Sequence, residues 1–285
     1  MPSLLCSMRI VKFTINMTPL QDLILPAPSS RILKTLILQG YIFPSLKDLV
    51  KSKDKNKPLF ISMVGTQGKR LFSKGEILKI SKGQMASSSI SFPFYEKSID
   101  EIKEDTYDTP FGKIVITVDR IDLLDLSSIK TEKYLEKNIK IKFLTPPLLT
   151  SKVLLPPSLK EKYKSVRSGY SILPSIGLIS SYAYKTYLSA LGKNENPELD
   201  TRQFKIGVLT NALSEVFGFS LEPITIIIGR DDKGNLRKTR GPMGWIEFDI
   251  KSKKLKKRII KYLLVSSFLG LGKSRGIGLG EIEIS

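Results

Sequence analysis

Residues 253–284 read KKLKKRIIKYLLVSSFLGLGKSRGIGLGEIEI, and the pattern changes twice along the stretch. Leu255, Ile259, Tyr262 and Leu263 recur at helical spacing, with Lys253, Lys256, Lys257 and Lys261 on a basic face, which predicts an amphipathic helix from Lys253 to Phe268. Gly270 to Gly280 then reads Gly-Leu-Gly-Lys-Ser-Arg-Gly-Ile-Gly-Leu-Gly, and Ile277 to Ile284 reads as a closing strand. A helix, a glycine-rich connection and a last strand form the closing arm of a ferredoxin-like split βαβ unit.

The rest of the second half fits the same plan. Ile139 to Leu144 reads as a strand, Ser151 to Ser158 as an irregular Pro-rich connection, and Ser175 to Leu191 as a helix stopped by Gly192. Lys193 to Leu199 reads as an exposed loop and Gly207 to Phe217 as a further helix. Glu222 to Ile228 and Met243 to Ile250 read as strands around a hairpin turn at Asp232-Lys233-Gly234-Asn235.

The first half is less regular. Arg9 to Asn16 alternates like a half-buried strand, and a helix is expected from the Ser29-Ser30 N-cap through Gln39 to Gly40. Leu59 to Val64, Arg70 to Phe72, Ile77 to Ile80, Ser89 to Phe94 and Lys113 to Asp119 read as strands, with a short helix over Thr131 to Asn138. No second long helix is visible. The expected fold class is α+β, with two tandem ferredoxin-like (RRM-like) domains and antiparallel sheets. The division falls into an N-terminal domain, 1–135, and a C-terminal domain, 136–285, with the first seven residues a loose extension.

Charge narrows the partner. The 285 residues carry 46 Lys and Arg against 27 Asp and Glu, a formal charge of +19, which points to a polyanion, nucleic acid before an anionic membrane. No apolar run approaches the roughly 18 residues of a spanning helix, and the chain reads as cytoplasmic. Histidine is absent and cysteine occurs once, at Cys6. That removes Ser-His-Asp triads, His-ligated metals, Cys-based zinc sites and intrachain disulfides, and leaves Lys, Arg, Tyr, Ser, Asp or Glu for any chemistry.

The glycine-rich stretch mimics two nucleotide motifs and satisfies neither. A Walker A loop would need glycine at Ser267 and would follow a strand, and the dinucleotide pattern would need glycine at Arg275. What remains is Gly270-x-Gly272, five residues holding Lys273 and Arg275, then Gly278-x-Gly280. Backbone N–H groups in such a loop can cradle an anion, and the two cations add phosphate attraction. The plainer alternative is a turn that allows tight helix–strand packing.

This signature resembles the C-terminal glycine-rich motif of the repeat-associated (RAMP) superfamily. Pro19 to Asp22, Ser151 to Pro157, Gly234 to Lys238 and Gly244 to Asp249 extend the resemblance across the chain. Within the superfamily the chain looks like the CRISPR repeat-RNA processing endoribonuclease, of a histidine-lacking crenarchaeal type. The resemblance implies metal-independent cleavage within the repeat by the RNA's own 2′-hydroxyl, leaving 5′-hydroxyl and 2′,3′-cyclic phosphate ends, with no cofactor. It implies that the catalytic group lies on or near the first helix. Lys34 on that helix and Lys57 before a strand are the carried-over proton-transfer residues. Arg31 is three residues from Lys34 and would support phosphate charge. Arg237 on the hairpin would complete the set.

Gly270, Gly272, Lys273, Arg275, Gly278 and Gly280, with Lys238 and Arg240 on the hairpin, are the expected RNA-binding residues. Lys51, Lys53 and Lys55 read as a solvated, RNA-attracting loop, Asp231-Asp232 as a turn rather than a metal pair, and Trp245 as core. Expected partners are CRISPR repeat RNA, a second copy of the chain, and a CRISPR effector complex that receives the product, with no membrane. A non-catalytic RNA-binding RAMP subunit of an interference complex is the rival, favoured by the missing histidine. A general RNA-binding protein or chaperone is weaker.

Overall fold

Strand β1 (Arg9–Pro19) buries Val11, Phe13, Ile15 and Met17 on one face, as its alternation demands. The computed structural model describes residues 8–54, 56–94, 102, 105–193 and 197–285. Expectations for the first seven residues, for Lys55 and for part of the 193–199 segment lie outside the described residues. The chain divides into two compact units. The first comprises residues up to Ser128, Thr225–Thr239 and Arg275–Gly278; the second comprises Ile129–Ile224, Arg240–Ser274 and Leu279–Ser285.

After β1 the first unit carries β2 (Leu23–Ile24), α1 (Arg31–Gln39), α2 (Lys47–Lys51), β3 (Phe60–Ile61), β4 (Gly65–Thr66), β5 (Lys69–Arg70), β6 (Lys79–Ile80), β7 (Ala86–Phe94), β8 (Asp105–Thr109) and β9 (Gly112–Asp125). Its main sheet runs β5-β4-β7-β1-β9-β8, with β3 also paired to β7. β1 sits antiparallel between β7 and β9, with Phe13 opposite Ile90 and Ile121. The four positions β4-β7-β1-β9 follow the 2-3-1-4 order of a ferredoxin-like sheet. Ile32, Leu33, Leu36 and Ile37 of α1 complete the core against β1, each burial contributing about 1.5–3 kcal/mol. Gly40 ends the helix in the left-handed conformation, as expected. Among the described residues no helix separates β7 from β9.

The second unit continues with α3 (Glu132–Leu135), β10 (Ile139–Phe143), α4 (Pro157–Lys160), α5 (Ile176–Ala190), α6 (Pro197–Leu213), β11 (Ser214–Arg230), β12 (Leu236–Ile250), α7 (Lys253–Leu269) and β13 (Ile282–Ile284). The sheet order β11-β12-β10-β13 is again 2-3-1-4, with β10 antiparallel to both neighbours. Ile141, Phe143, Ile179, Ile246, Phe248, Ile259 and Leu263 meet in its core. The α+β class and the tandem antiparallel sheets are therefore as read from the sequence. The distal hairpin, Thr225–Thr239, belongs to the first unit. Among the described residues no helix is long and apolar enough to cross a membrane.

Several local expectations give way to identifiable physics. The strands read at 59–64, 70–72 and 77–80 shrink to two-residue pairs. Part of their backbone bonding goes to Ser29, whose hydroxyl accepts from Val64 N–H and donates to Leu71 C=O. That use leaves Ser30 as the N-cap of α1, without a capping side-chain bond. The loop expected through Leu199 becomes helix at Pro197. Proline suits a first helical position, and Glu198 and Asp200 complement the helix dipole. The helix expected to reach Phe217 stops at Leu213, where a β-prone run begins. The Ser151 to Ser158 connection contains a 3₁₀ turn and the start of α4.

Lys256, read on the basic face of α7, is buried, with Nζ 2.6 Å from Asp249 Oδ1 and donating to Lys137 C=O. Trp245, read as core, is only half-buried, with Lys140 Nζ 4.1 Å from its ring centroid. The closing strand is Ile282–Ile284 alone, because Arg275–Ile277 forms a 3₁₀ turn.

Candidate active site and RNA-contacting loops

In the first unit, α1 presents Arg31 exposed at its first position and Lys34 half-buried one turn on. There is no acidic residue in that first turn, so the helix dipole and the two cations make an electropositive end, while the N–H groups of Arg31, Ile32 and Lys34 donate to the Pro28, Ser29 and Ser30 carbonyls. Lys57 precedes Pro58 and β3. Its Nζ donates to Val50 C=O at 2.8 Å and Ser52 C=O at 2.9 Å, capping the last carbonyls of α2. Burial, and then the like charge of Lys34, hold the Lys57 ammonium below the ordinary lysine range, while Asp54 pulls the other way. The structure thus brings Lys34 and Lys57 together electrostatically.

The loop before β3 is stiffened from within. Asp54 accepts from Asn56 N–H at 2.8 Å, Ser52 Oγ accepts from Asp54 N–H at 3.1 Å, and Leu59 N–H donates to Lys57 C=O at 2.8 Å. Arg275 belongs to this same unit. Its Nη2 donates to Asn56 C=O at 3.1 Å and Lys57 C=O at 3.2 Å, and the residue is 6% exposed. A Cβ at Gly276 would lie 3.7 Å from Lys57 Cε. Gly278 has φ 86°, and a Cβ there would lie 2.7 Å from Met63 N, so only glycine fits against that strand.

Arg237 lies exposed at the start of β12, where its charge acts on Asp231 at the hairpin tip. Lys34 and Asp54 supply the charges felt at Lys57. Asp231 accepts from Lys233 N–H, Asn235 N–H and Asn235 Nδ2, so it builds the turn. Lys238 is exposed on β12, Lys51 is exposed at the end of α2, and Lys53 is exposed on the loop that follows.

In the second unit, Arg240 is exposed on β12, and Gly270, Gly272 and Lys273 follow α7. Lys273 N–H donates to Leu148 C=O at 3.1 Å, and its exposed ammonium sits 6.0 Å from the Tyr170 ring centroid. Leu271 N–H donates to Gly280 C=O at 2.7 Å, closing the loop on itself. Among the described residues no group of three or more His, Cys, Asp or Glu could hold a metal ion.

Sequence reasoning missed Asp54, the carbonyls of Val50, Ser52, Asn56 and Lys57, and Tyr170. The Ser52-x-Asp54-x-Asn56 spacing carried a signal for the first, since such residues bind backbone two positions on. The carbonyls and Tyr170 carried none.

Comparison with known proteins matches these elements to one family. The model of the Cas6 N-terminal domain covers residues 11–124, and that of the CRISPR-associated endoribonuclease Cas6 covers residues 141–282. CRISPR-associated endoribonuclease Cas6 1 of Saccharolobus solfataricus is 50% identical over 278 residues, 96% of each chain. Cas6 2 of the same organism is 49% identical over 279 residues, again 96% of each. Among solved structures, a Cas6 product complex superposes with a TM-score of 0.60 at 14% identity over 97% of this chain and 100% of that one. Thermus thermophilus Cas6 gives 0.55 at 13% over 98% of both, which extends the likeness of fold. The duplicated ferredoxin-like plan, the glycine-rich loop and two half-identical relatives agree: this chain belongs to the Cas6 family of CRISPR-associated endoribonucleases.

Proposed function

We propose that the chain is a metal-independent endoribonuclease that cuts CRISPR repeat RNA by attack of a 2′-hydroxyl on the adjacent phosphorus. The 2′-oxygen loses its proton and bonds to phosphorus, the P–O5′ bond breaks, and the departing 5′-oxygen takes a proton. The products are a 2′,3′-cyclic phosphate and a 5′-hydroxyl. The observation that carries this reading is Lys57, half-buried, anchored, and held below the ordinary lysine range by burial and by Lys34.

Two of the three N–H bonds on Lys57 Nζ go to Val50 and Ser52 carbonyls. The third is left for the 5′-oxygen, and a lowered pKa makes the ammonium a stronger acid. Lys34 serves the 2′-hydroxyl at the other end of the reaction. Arg31 at the start of α1 is assigned to the charge that grows on the phosphorane, and Arg237 adds to that charge compensation. Arginine cannot exchange a proton near neutral pH, so both arginines orient and neutralise.

Gly270, Gly272, Lys273, Gly278 and Gly280, together with Lys238 and Arg240, are assigned to the RNA backbone, a contact that salt weakens. We assign the chain to the cytoplasm without membrane attachment, as a homodimer whose product passes to a CRISPR effector complex. The two domains, 1–135 and 136–285, share the work: the first supplies Lys34, Lys57 and Arg31, and the second supplies Arg237 and the RNA-gripping glycine-rich loop.

The test uses labelled repeat RNA in EDTA, beside a copy with one 2′-deoxy nucleotide at the cut. Cleavage of the first only, leaving a cyclic phosphate, is expected. Lys57→Ala should then lose about 10²- to 10⁴-fold in rate while still binding. Tight binding without cleavage would leave the RNA-binding subunit as the answer.

A further inference from the structure

The glycine-rich loop carries two cations, and only one of them is available to RNA. Arg275 is 6% exposed although its immediate predecessors Lys273 and Ser274 are exposed. Burying a guanidinium is costly unless its donors are satisfied, so such a group must be held for what it binds inside the protein. Two of its bonds go to backbone. One terminal nitrogen, Nη2, spends its two N–H bonds on two consecutive carbonyls, Asn56 at 3.1 Å and Lys57 at 3.2 Å. Gly278 N–H closes back onto Arg275 C=O at 3.0 Å, and Gly276 lies against the Lys57 side chain. Residues 275–278 therefore lie along the segment that carries Lys57 into β3.

We propose that Arg275 is a positioning residue: its guanidinium clamps the carbonyls of Asn56 and Lys57 and sets the place of the Lys57 ammonium, without touching RNA. Lys57 is then held at both ends, its backbone by Arg275 and its Nζ by the α2 carbonyls of Val50 and Ser52. Burial pushes the Arg275 guanidinium down to about 10, with Asp54 pulling it up, so the clamp is charged at neutral pH. Lysine cannot replace it, because a single flexible ammonium does not reproduce a planar nitrogen aimed at two carbonyls. This inference rests on the reading of Lys57 as a reacting group.

The experiment compares full-length wild type, Arg275→Lys, Lys57→Ala and the double variant, using single-turnover cleavage of repeat RNA and Kd at several salt concentrations. Arg275→Lys should slow cleavage about 10- to 100-fold, the size expected when a reacting group is displaced by roughly 1 Å. Binding is read in Arg275→Gln, which removes the charge that lysine would keep: its Kd and the slope of log K against log salt should match wild type, because no phosphate contact has been lost. The double variant should be no slower than Lys57→Ala, since both changes remove the same contribution.

Weaker binding by Arg275→Gln, with a slope shallower by about 0.7–0.9, would make Arg275 a phosphate contact and overturn the proposal. A further loss of rate on top of Lys57→Ala would overturn it too, by showing that Arg275 acts elsewhere. If Lys57→Ala alone cleaves at the wild-type rate, the active-site reading itself fails, a different result from either of these. Circular dichroism checks folding. Should Arg275→Lys not fold, Arg275→Gln is read in the same way, and if neither folds, Arg275 holds the fold and the positioning role is wrong.

Discussion

The two ends of the glycine-rich loop differ in what they do with a cation. Residues 270–274 carry Lys273, exposed, with its ammonium beside Tyr170 and its backbone tied to Leu148. Residues 275–278 carry Arg275, buried and spent on two carbonyls. The two side chains are two positions apart in a motif whose spacing treats them alike. Neighbours that only the fold supplies make one a surface charge and the other an internal clamp. Charge in a loop is thus no guide to phosphate contact until burial is known.

Two glycines of the motif set the largest expected contrast. Gly280 has φ 75°, and a Cβ there would fall 1.9 Å from Leu271 C=O, a backbone atom that cannot swing aside. A Cβ at Gly276 would meet Lys57 Cε at 3.7 Å, an ordinary contact. Gly280→Ala should therefore lose roughly 3 kcal/mol or more in denaturant or thermal unfolding, and Gly276→Ala about 1 kcal/mol or less. Equal losses would mean that the motif packs with the same tolerance at both glycines, and the distinction would go.

The cations themselves come next. Lys273→Gln should weaken repeat-RNA binding about two- to fivefold near physiological salt and make the salt slope shallower by about 0.7–0.9. That is the signature predicted to be missing from Arg275→Gln. Titration of both variants over a range of salt checks the pair together. If Lys273→Gln leaves the slope unchanged, Lys273 touches no phosphate, and neither cation of the loop grips RNA.

The fold was legible in the sequence wherever burial imposed a period. The alternation in β1, the stripe in α1 and the seam in α7 survive intact, because one face of each is packed. Both sheets keep the expected plan. Legibility failed where side chains replaced the ladder, as with Ser29 at Val64 and Leu71, and where a charged residue was buried by a distant partner, as with Lys256 on Asp249. The candidate site divides in the same way. Lys34 and Lys57 were named as basic residues on α1 and just before β3, and the structure supplies the influence of Lys34 on Lys57. The clamp from Arg275 was beyond sequence reasoning, because 218 positions separate it from Lys57 and nothing local marks the contact.

The smallest effect concerns the charge that faces both halves of the clamp. Asp54 raises the pKa of Lys57 and that of Arg275, against burial in each case. If Lys57 donates the proton to the leaving oxygen, the rate holds at neutral pH and falls as pH rises through the pKa of its ammonium. Asp54→Asn keeps an oxygen for the Asn56 N–H but removes the negative charge. The Lys57 pKa then drops further, because the burial and Lys34 effects lose their opponent. The descending limb of the pH–rate profile should move to lower pH, and it should be absent from the residual activity of Lys57→Ala. A limb that stays in place would detach Asp54 from the reaction. A limb that moves to higher pH would contradict the acid role of Lys57, since removing a nearby negative charge can only favour the neutral amine.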